Sequence, residues 1–91
     1  MEKTITEHAH IAFNEKTSEP IIKNTRISVR DIAELWLQGA QPEEILLHYP
    51  HLTLAQIFDA LSYYDDHREV IDEYIKKNAV PGNVSGTRLS R

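Results

Sequence analysis

Five histidines, two adjacent aspartates and a trio of basic residues are the side chains with chemistry to offer in this sequence. His8 and His10 lie two apart, and His48 and His51 bracket Tyr49 and Pro50. Imidazoles so spaced invite a metal ion. A zinc site, however, calls for a His-Glu-x-x-His helix or for thiolates, and the chain has neither that pattern nor a cysteine. No metal site is expected. Asp65 and Asp66 resemble the paired carboxylates of acid–base catalysis, but sequence neighbours on a helix face different ways. They read as capping or solvated charges. No nucleophile–base pattern, phosphate loop or dinucleotide fingerprint occurs. The expectation is a protein that is not an enzyme, with no catalytic residue and no cofactor.

Lys23, Arg26 and Arg30 form a basic cluster. With Arg26 and Arg30 four apart, it suits a phosphate clamp or a minor-groove arm. The alternative for Arg26 is structural, bonding carbonyls or the carboxylates of Asp31 or Glu34. Among aromatic residues, Trp36 sits on an apolar stripe and reads as core. Tyr63 points away from the stripe that carries Tyr64. With Tyr74 and Ile75 it makes a partner surface, or else it lies along its own helix.

These residues need elements to hold them. Four prolines (Pro20, Pro42, Pro50 and Pro81) mark the places where apolar periodicity changes phase. Ile11-Ala12-Phe13 and Ile21-Ile22, bounded by Asn14, Thr17, Ser18 and Asn24, read as short strands, with a turn at Asn24-Thr25. Val29, Ile32, Ala33, Leu35 and Trp36 recur at helical spacing after Ser28, a plausible cap with Asp31 in the first turn. Gly39 suits the residue just past that helix. Pro42 opens a second helix with Glu43 and Glu44 behind it and Ile45, Leu46 and Tyr49 on its apolar side. Thr53 and Gln56 make a capping box for a third helix with a stripe of Leu54, Ile57, Phe58, Leu61 and Tyr64. Asp66 to Glu69 is a candidate cap pair for a fourth helix, with Val70, Ile71, Tyr74 and Ile75 inward. A single bent helix over residues 54–77 fits nearly as well. Residues 79–91 hold two of the three glycines and no periodicity, and read as a flexible basic tail.

At 91 residues, with net charge −4, the chain has room for one small domain but not for a deep enclosed cavity. The absence of cysteine excludes disulfide frameworks and thiol catalysis. No apolar segment approaches the ~18 residues that span a bilayer, and the first residues lack the apolar core of a secretory signal. A cytoplasmic protein without a membrane partner is expected. The charge is unevenly spread. Residues 1–73 carry all fourteen acids against six bases, net −8, whereas residues 74–91 carry four bases and no acid. An acidic body argues against bulk electrostatic attraction to nucleic acid.

A short helix, the link Pro50-His51-Leu52 and a longer capped helix trace a helix-turn-helix outline. If the third helix enters DNA, its outward residues are Ala55, Gln56, Asp59, Ser62, Tyr63 and Asp66. Only Gln56 among them has base-reading chemistry, and its capping role accounts for it without DNA. Three segments add something more specific. Residues 20–29 (Pro-Ile-Ile-Lys-Asn-Thr-Arg-Ile-Ser-Val), residues 41–46 (Gln-Pro-Glu-Glu-Ile-Leu) and residues 49–57 (Tyr-Pro-His-Leu-Thr-Leu-Ala-Gln-Ile), followed by Ala60-Leu61-Ser62-Tyr63, resemble motifs of the domain-of-unknown-function 433 family. The likeness covers roughly residues 11 to 66. The chain departs from the family pattern at Thr17-Ser18-Glu19, which replaces Gly-Gly-Lys, at Asn24, which replaces Gly, and at Ser28, which replaces Pro.

The resemblance implies a small helical, homeodomain-like domain preceded by short strands. It also implies a VapB-type antitoxin, encoded beside a toxin with a PIN-like nuclease domain. Because the Thr-Arg-Ile motif recurs across the family whatever the partner, it favours a structural Arg26; His51 belongs to the family's turn motif and is expected to bond backbone. The expectation is therefore mainly α: short N-terminal strands within residues 11–28, then a bundle of three or four helices over residues 29–78, after an arm of residues 1–10. The expected function is an antitoxin-like homodimer that inhibits a PIN-like nuclease and binds its own operator. Lys23, Arg26, Arg30 and Gln56 would face DNA, and Tyr63, Tyr74, Ile75, Arg88 and Arg91 the toxin. The alternatives are a DNA-binding regulator without a toxin, or a non-catalytic structural oligomer.

Overall fold

The computed structural model describes residues 8–78. The tail of residues 79–91, with Arg88 and Arg91, and residues 1–7 of the expected arm lie outside that range. Ile11–Phe13 (β1) and Pro20–Ile22 (β2) pair antiparallel, with Ile11 opposite Ile22, Ala12 opposite Ile21 and Phe13 opposite Pro20. The loop between them satisfies its own polar groups. The Asn14 side chain accepts the Lys16 and Thr17 N–H groups at 2.8 and 3.1 Å, and the Thr17 hydroxyl accepts the Glu19 N–H at 3.2 Å. After β2, Thr25 closes a second tight turn. Its hydroxyl donates to the Ile22 carbonyl at 2.7 Å and accepts from the Ile27 N–H at 3.0 Å. Ser18 and Asn24 both have positive φ, 64° and 66°. They are two of the positions where the resemblance leads one to expect glycine, and the left-handed backbone there explains why glycine would suit them.

Helix α1 spans Val29–Leu37. Ser28 and Asp31 form a reciprocal capping box: Ser28 Oγ accepts the Asp31 N–H at 3.0 Å, and Asp31 Oδ2 accepts the Ser28 N–H at 3.1 Å. Gly39, at φ 105°, follows the Gln38 C-cap and turns the chain. Helix α2 (Pro42–His48) begins on its proline, and Glu44 accepts the Gln41 N–H at 2.7 Å. Thr53 and Gln56 cap helix α3 (Leu54–Asp66) as their spacing predicts.

Two helices, not one, occupy residues 54–77. Helix α4 runs Arg68–Lys77, and the break falls at His67, with φ −132° and ψ 44°. No proline or glycine makes this break. The His67 N–H bonds the Tyr63 and Tyr64 carbonyls at 3.0 and 3.1 Å, and its Nδ1 bonds the Tyr63 carbonyl at 3.1 Å. The residue that ends α3 therefore also begins α4, and the expected Asp66 cap does not form.

The core gathers Ile22 from β2, Val29, Ile32 and Ala33 from α1, Ile45 from α2, Leu52 from the α2–α3 link, Ile57, Ala60 and Tyr64 from α3, and Ile71 and Ile75 from α4. Two stripes are narrower than periodicity suggested. The inward face of α3 centres on Ile57, Ala60 and Tyr64, and Phe58, about 100° further round the helix, is exposed. Leu54 and Val70, also expected inward, are exposed as well. Trp36 is half-buried at the margin of the core rather than inside it.

Candidate docking surfaces

The outer face of α3 is the surface a DNA-reading helix would present. Here the chain's own N-terminal segment covers part of it, at Asp59, Tyr63 and Asp66. Residues 8–11 form a turn closed by the Ile11 N–H on the His8 carbonyl at 3.0 Å. Asp59 grips this turn twice. Its Oδ2 accepts the His10 N–H at 2.7 Å, and its Oδ1 lies 3.3 Å from His8 Nδ1. The other ring nitrogen of His8, Nε2, lies 3.0 Å from Asp66 Oδ2. Tyr63 lies between the two aspartates. It stacks on His67, with ring centroids 4.2 Å apart, and meets His8 edge-on at 5.1 Å and Phe13 at 6.3 Å. Burial, with Tyr74 nearby, holds the Tyr63 phenol above its ordinary range. Three of the six residues expected to face outward are thus occupied within the fold.

On another side, Trp36 of α1, Gln41 and Pro42 at the head of α2, Phe58, Leu61, Ser62 and Asp65 of α3, and Arg68 of α4 line an open groove of about 420 Å³. Its floor is mostly apolar. Its rim carries an ion pair, with Arg68 donating through Nε and Nη2 to Asp65 Oδ1 at 3.1 and 3.0 Å. The Arg68 guanidinium also lies over the Tyr64 ring, 5.2 Å from its centroid. Phe58, 53% exposed, is a large apolar side chain offered directly to solvent.

The basic cluster separates on folding. Arg30 turns inward: its Nε donates to Glu19 Oε2 at 2.7 Å, with Asp31 and Glu34 at 3.7 and 4.0 Å. Burial opposes its charge, but the Glu19 bond and the three carboxylates hold its pKa above the ordinary value. A guanidinium so enclosed has little left for a phosphate. The structural role expected of Arg26 belongs to Arg30. Lys23 and Arg26 are exposed, and no hydrogen bond joins either side chain to a described residue. His51, expected to bond backbone, is exposed, with no side-chain hydrogen bond to a described residue. Gln56 Oε1 is held by the Thr53 N–H at 2.7 Å, which is its capping role.

The expected partner surface on α4 is also rearranged. Ile75 is only 8% exposed and lies in the core, and Tyr74 packs against it half-buried. The apolar face of α4 is spent on α1 and is not free to enter a partner. Sequence reasoning missed the groove because its walls come from four separate helices. It missed His8 as a structural residue because its partners stand 51 and 58 positions away. Among the described residues, no group of three or more histidine or acidic side chains could hold a metal ion, and no helix is long and apolar enough to cross a membrane.

A family model described as protein of unknown function (DUF433) matches residues 17–64, about half of the chain. No curated protein and no solved structure matches it.

Proposed function

The chain belongs to the DUF433 family, and from that premise we propose that it is an antitoxin-like protein that binds and inhibits a PIN-like nuclease by protein docking. The observation that carries this reading is the contrast between two faces. The outer face of α3 is acidic and partly covered by the N-terminal turn, whereas the Trp36–Phe58–Leu61 groove stands open. The groove suits one occupant, an apolar helix of the nuclease, with a basic residue of that helix meeting Asp65 on the rim. The chain then lends a groove, not a helix, at this contact. Its basic C-terminal part complements the acidic pocket of a nuclease. Docking covers the nuclease without any catalysis by this chain, and a cytoplasmic homodimer remains part of the reading.

The test is co-expression with the product of the adjacent gene. Growth should be rescued and a complex should co-purify, and Phe58→Asp should abolish both. A neighbour that is no nuclease, or a nuclease that stays fully active beside this chain, overturns the reading. A second reading, operator binding, draws on Lys23 and Arg26, which are exposed and form no hydrogen bond with a described residue. A salt-dependent gel shift that disappears in the Lys23→Ala/Arg26→Ala double variant would establish it.

A further inference from the structure

We infer that the groove is closed, in the free chain, by α3 of a second copy of this chain, packed antiparallel across a two-fold axis at Phe58. This deepens the docking reading at the same groove. Competition there between the second copy and the nuclease rests on that reading; the self-association does not. Leu54, Phe58, Leu61 and Asp65 stand at steps of four, three and four along α3. At about 100° per residue they fall within one stripe about 60° wide. The stripe runs between the core side of the helix, at Ile57, Ala60 and Tyr64, and the outer side, at Asp59 and Asp66. Leu54 is 36% exposed and Phe58 53%, and Leu61 is half-buried. Phe58, Leu61 and Asp65 also wall the groove. Apolar side chains in line on the open flank of a helix suit a facing helix.

The spacing is self-complementary. A two-fold axis at Phe58 sets the two Phe58 rings together and Leu54 of each copy against Leu61 of the other, to within about 1.5 Å of helix rise. Such a contact uses one patch twice. Charge selects both the face and the direction. Residues 1–73 are net −8, so two bodies repel over most of their surface. The stripe is the exception, because its one charge, Asp65, is already paired by Arg68. Parallel packing would set the two Asp65 carboxylates side by side. Antiparallel packing holds them about 21 Å apart along the helices, beyond the ~10 Å screening length. It also brings each Asp65 toward the start of the other α3. The first turn there has no acidic residue, and the helix dipole favours a negative charge. The free chain thus keeps its apolar stripe out of water, and the nuclease helix enters by displacing the second copy.

Sedimentation equilibrium of the full chain alone tests this. The average mass should climb from 10.5 kDa toward twice that value between about 1 and about 500 µM. Phe58→Asp should hold it at the monomer mass throughout, and Leu54→Asp serves if that variant fails to fold. The chain has no cysteine, so introduced thiols report the register. On oxidation the double variant Leu54→Cys/Leu61→Cys should cross-link into a covalent dimer. Within one helix its thiols stand about 10 Å apart along the axis and cannot join. Leu54→Cys alone should not cross-link, its counterpart lying about 12 Å away along the helices. A monomer at every concentration overturns the inference, as does a dimer that survives the aspartate substitution. A double variant that fails to cross-link, or a Leu54→Cys chain that cross-links as readily, overturns it too. No nuclease is present in these measurements, so a monomer leaves the docking reading standing.

Discussion

Glu19, just before β2, and Arg30, in the first turn of α1, meet at 2.7 Å and tie the hairpin to the first helix. The guanidinium is 20% exposed and the carboxylate 13%. Arg30→Ala leaves the Glu19 carboxylate largely out of water and unmatched, and Glu19→Ala leaves Arg30 only its longer contacts to Asp31 and Glu34. Glu19→Ala or Arg30→Ala should cost about 1–3 kcal/mol in denaturant unfolding. Arg30→Lys should recover only part of this, because an ammonium cannot span Glu19, Asp31 and Glu34 as a planar fork does.

Ser18 carries a left-handed backbone with a side chain that gains nothing from it, at φ 64°. Ser18→Gly should stabilise the protein by about 0.5–1 kcal/mol, the relief of Cβ strain less the added freedom of the unfolded chain. Asn24→Gly should gain less, because asparagine tolerates this region. An unchanged or lower midpoint in Ser18→Gly contradicts the strain.

Tyr64 donates its hydroxyl to Asp72 Oδ1 at 3.0 Å from a nearly buried position. Burial first, and the Asp72 carboxylate second, hold the phenol above its ordinary range. The folded chain therefore keeps this proton to higher pH than the unfolded chain does. Stability present below the unfolded tyrosine value is lost as pH rises past about 10. Tyr49 and Tyr63 are shifted the same way and add to the loss. Tyr64→Phe should cost about 1 kcal/mol at neutral pH and flatten the alkaline limb of a melting-temperature profile.

Phe58 gives the sharpest separation of docking from stability. At 53% exposure, Phe58→Asp should move the unfolding free energy by no more than about 1 kcal/mol while removing the partner. Ile71→Ala, in the core, should do the reverse, with about 2–5 kcal/mol lost and binding affected only through folding.

The elements were legible wherever the signal was local. The Ser28–Asp31 and Thr53–Gln56 boxes, Pro42 at its helix start and Gly39 past a helix end all follow from residues within a few positions of one another. The strand pair followed from β-branched and aromatic residues between turn formers. The break between α3 and α4 was legible to within one residue from the Asp66–Glu69 pair, but its cause was not, because His67 bonding back to the preceding turn has no sequence signature like that of proline. The docking surfaces were hardest to read. Asp59 and Asp66 looked like solvated charges until a histidine 51 and 58 positions away closed on them, and Ile75 looked available until α1 covered it.

The His8–Asp66 contact joins residues 58 positions apart and so encloses almost the whole described fold. Such a contact has no local structure to nucleate on and must wait for the helices between its ends to assemble. On a ribosome adding about 5–20 residues per second, His8 is made about 3–12 s before Asp66. Until Asp59 is made, seven residues before Asp66, the N-terminal turn has neither of the aspartates that hold it. Closure at His8 thus follows assembly of the elements from β1 to α3, and a reporter placed there times a late step of the pathway rather than the first.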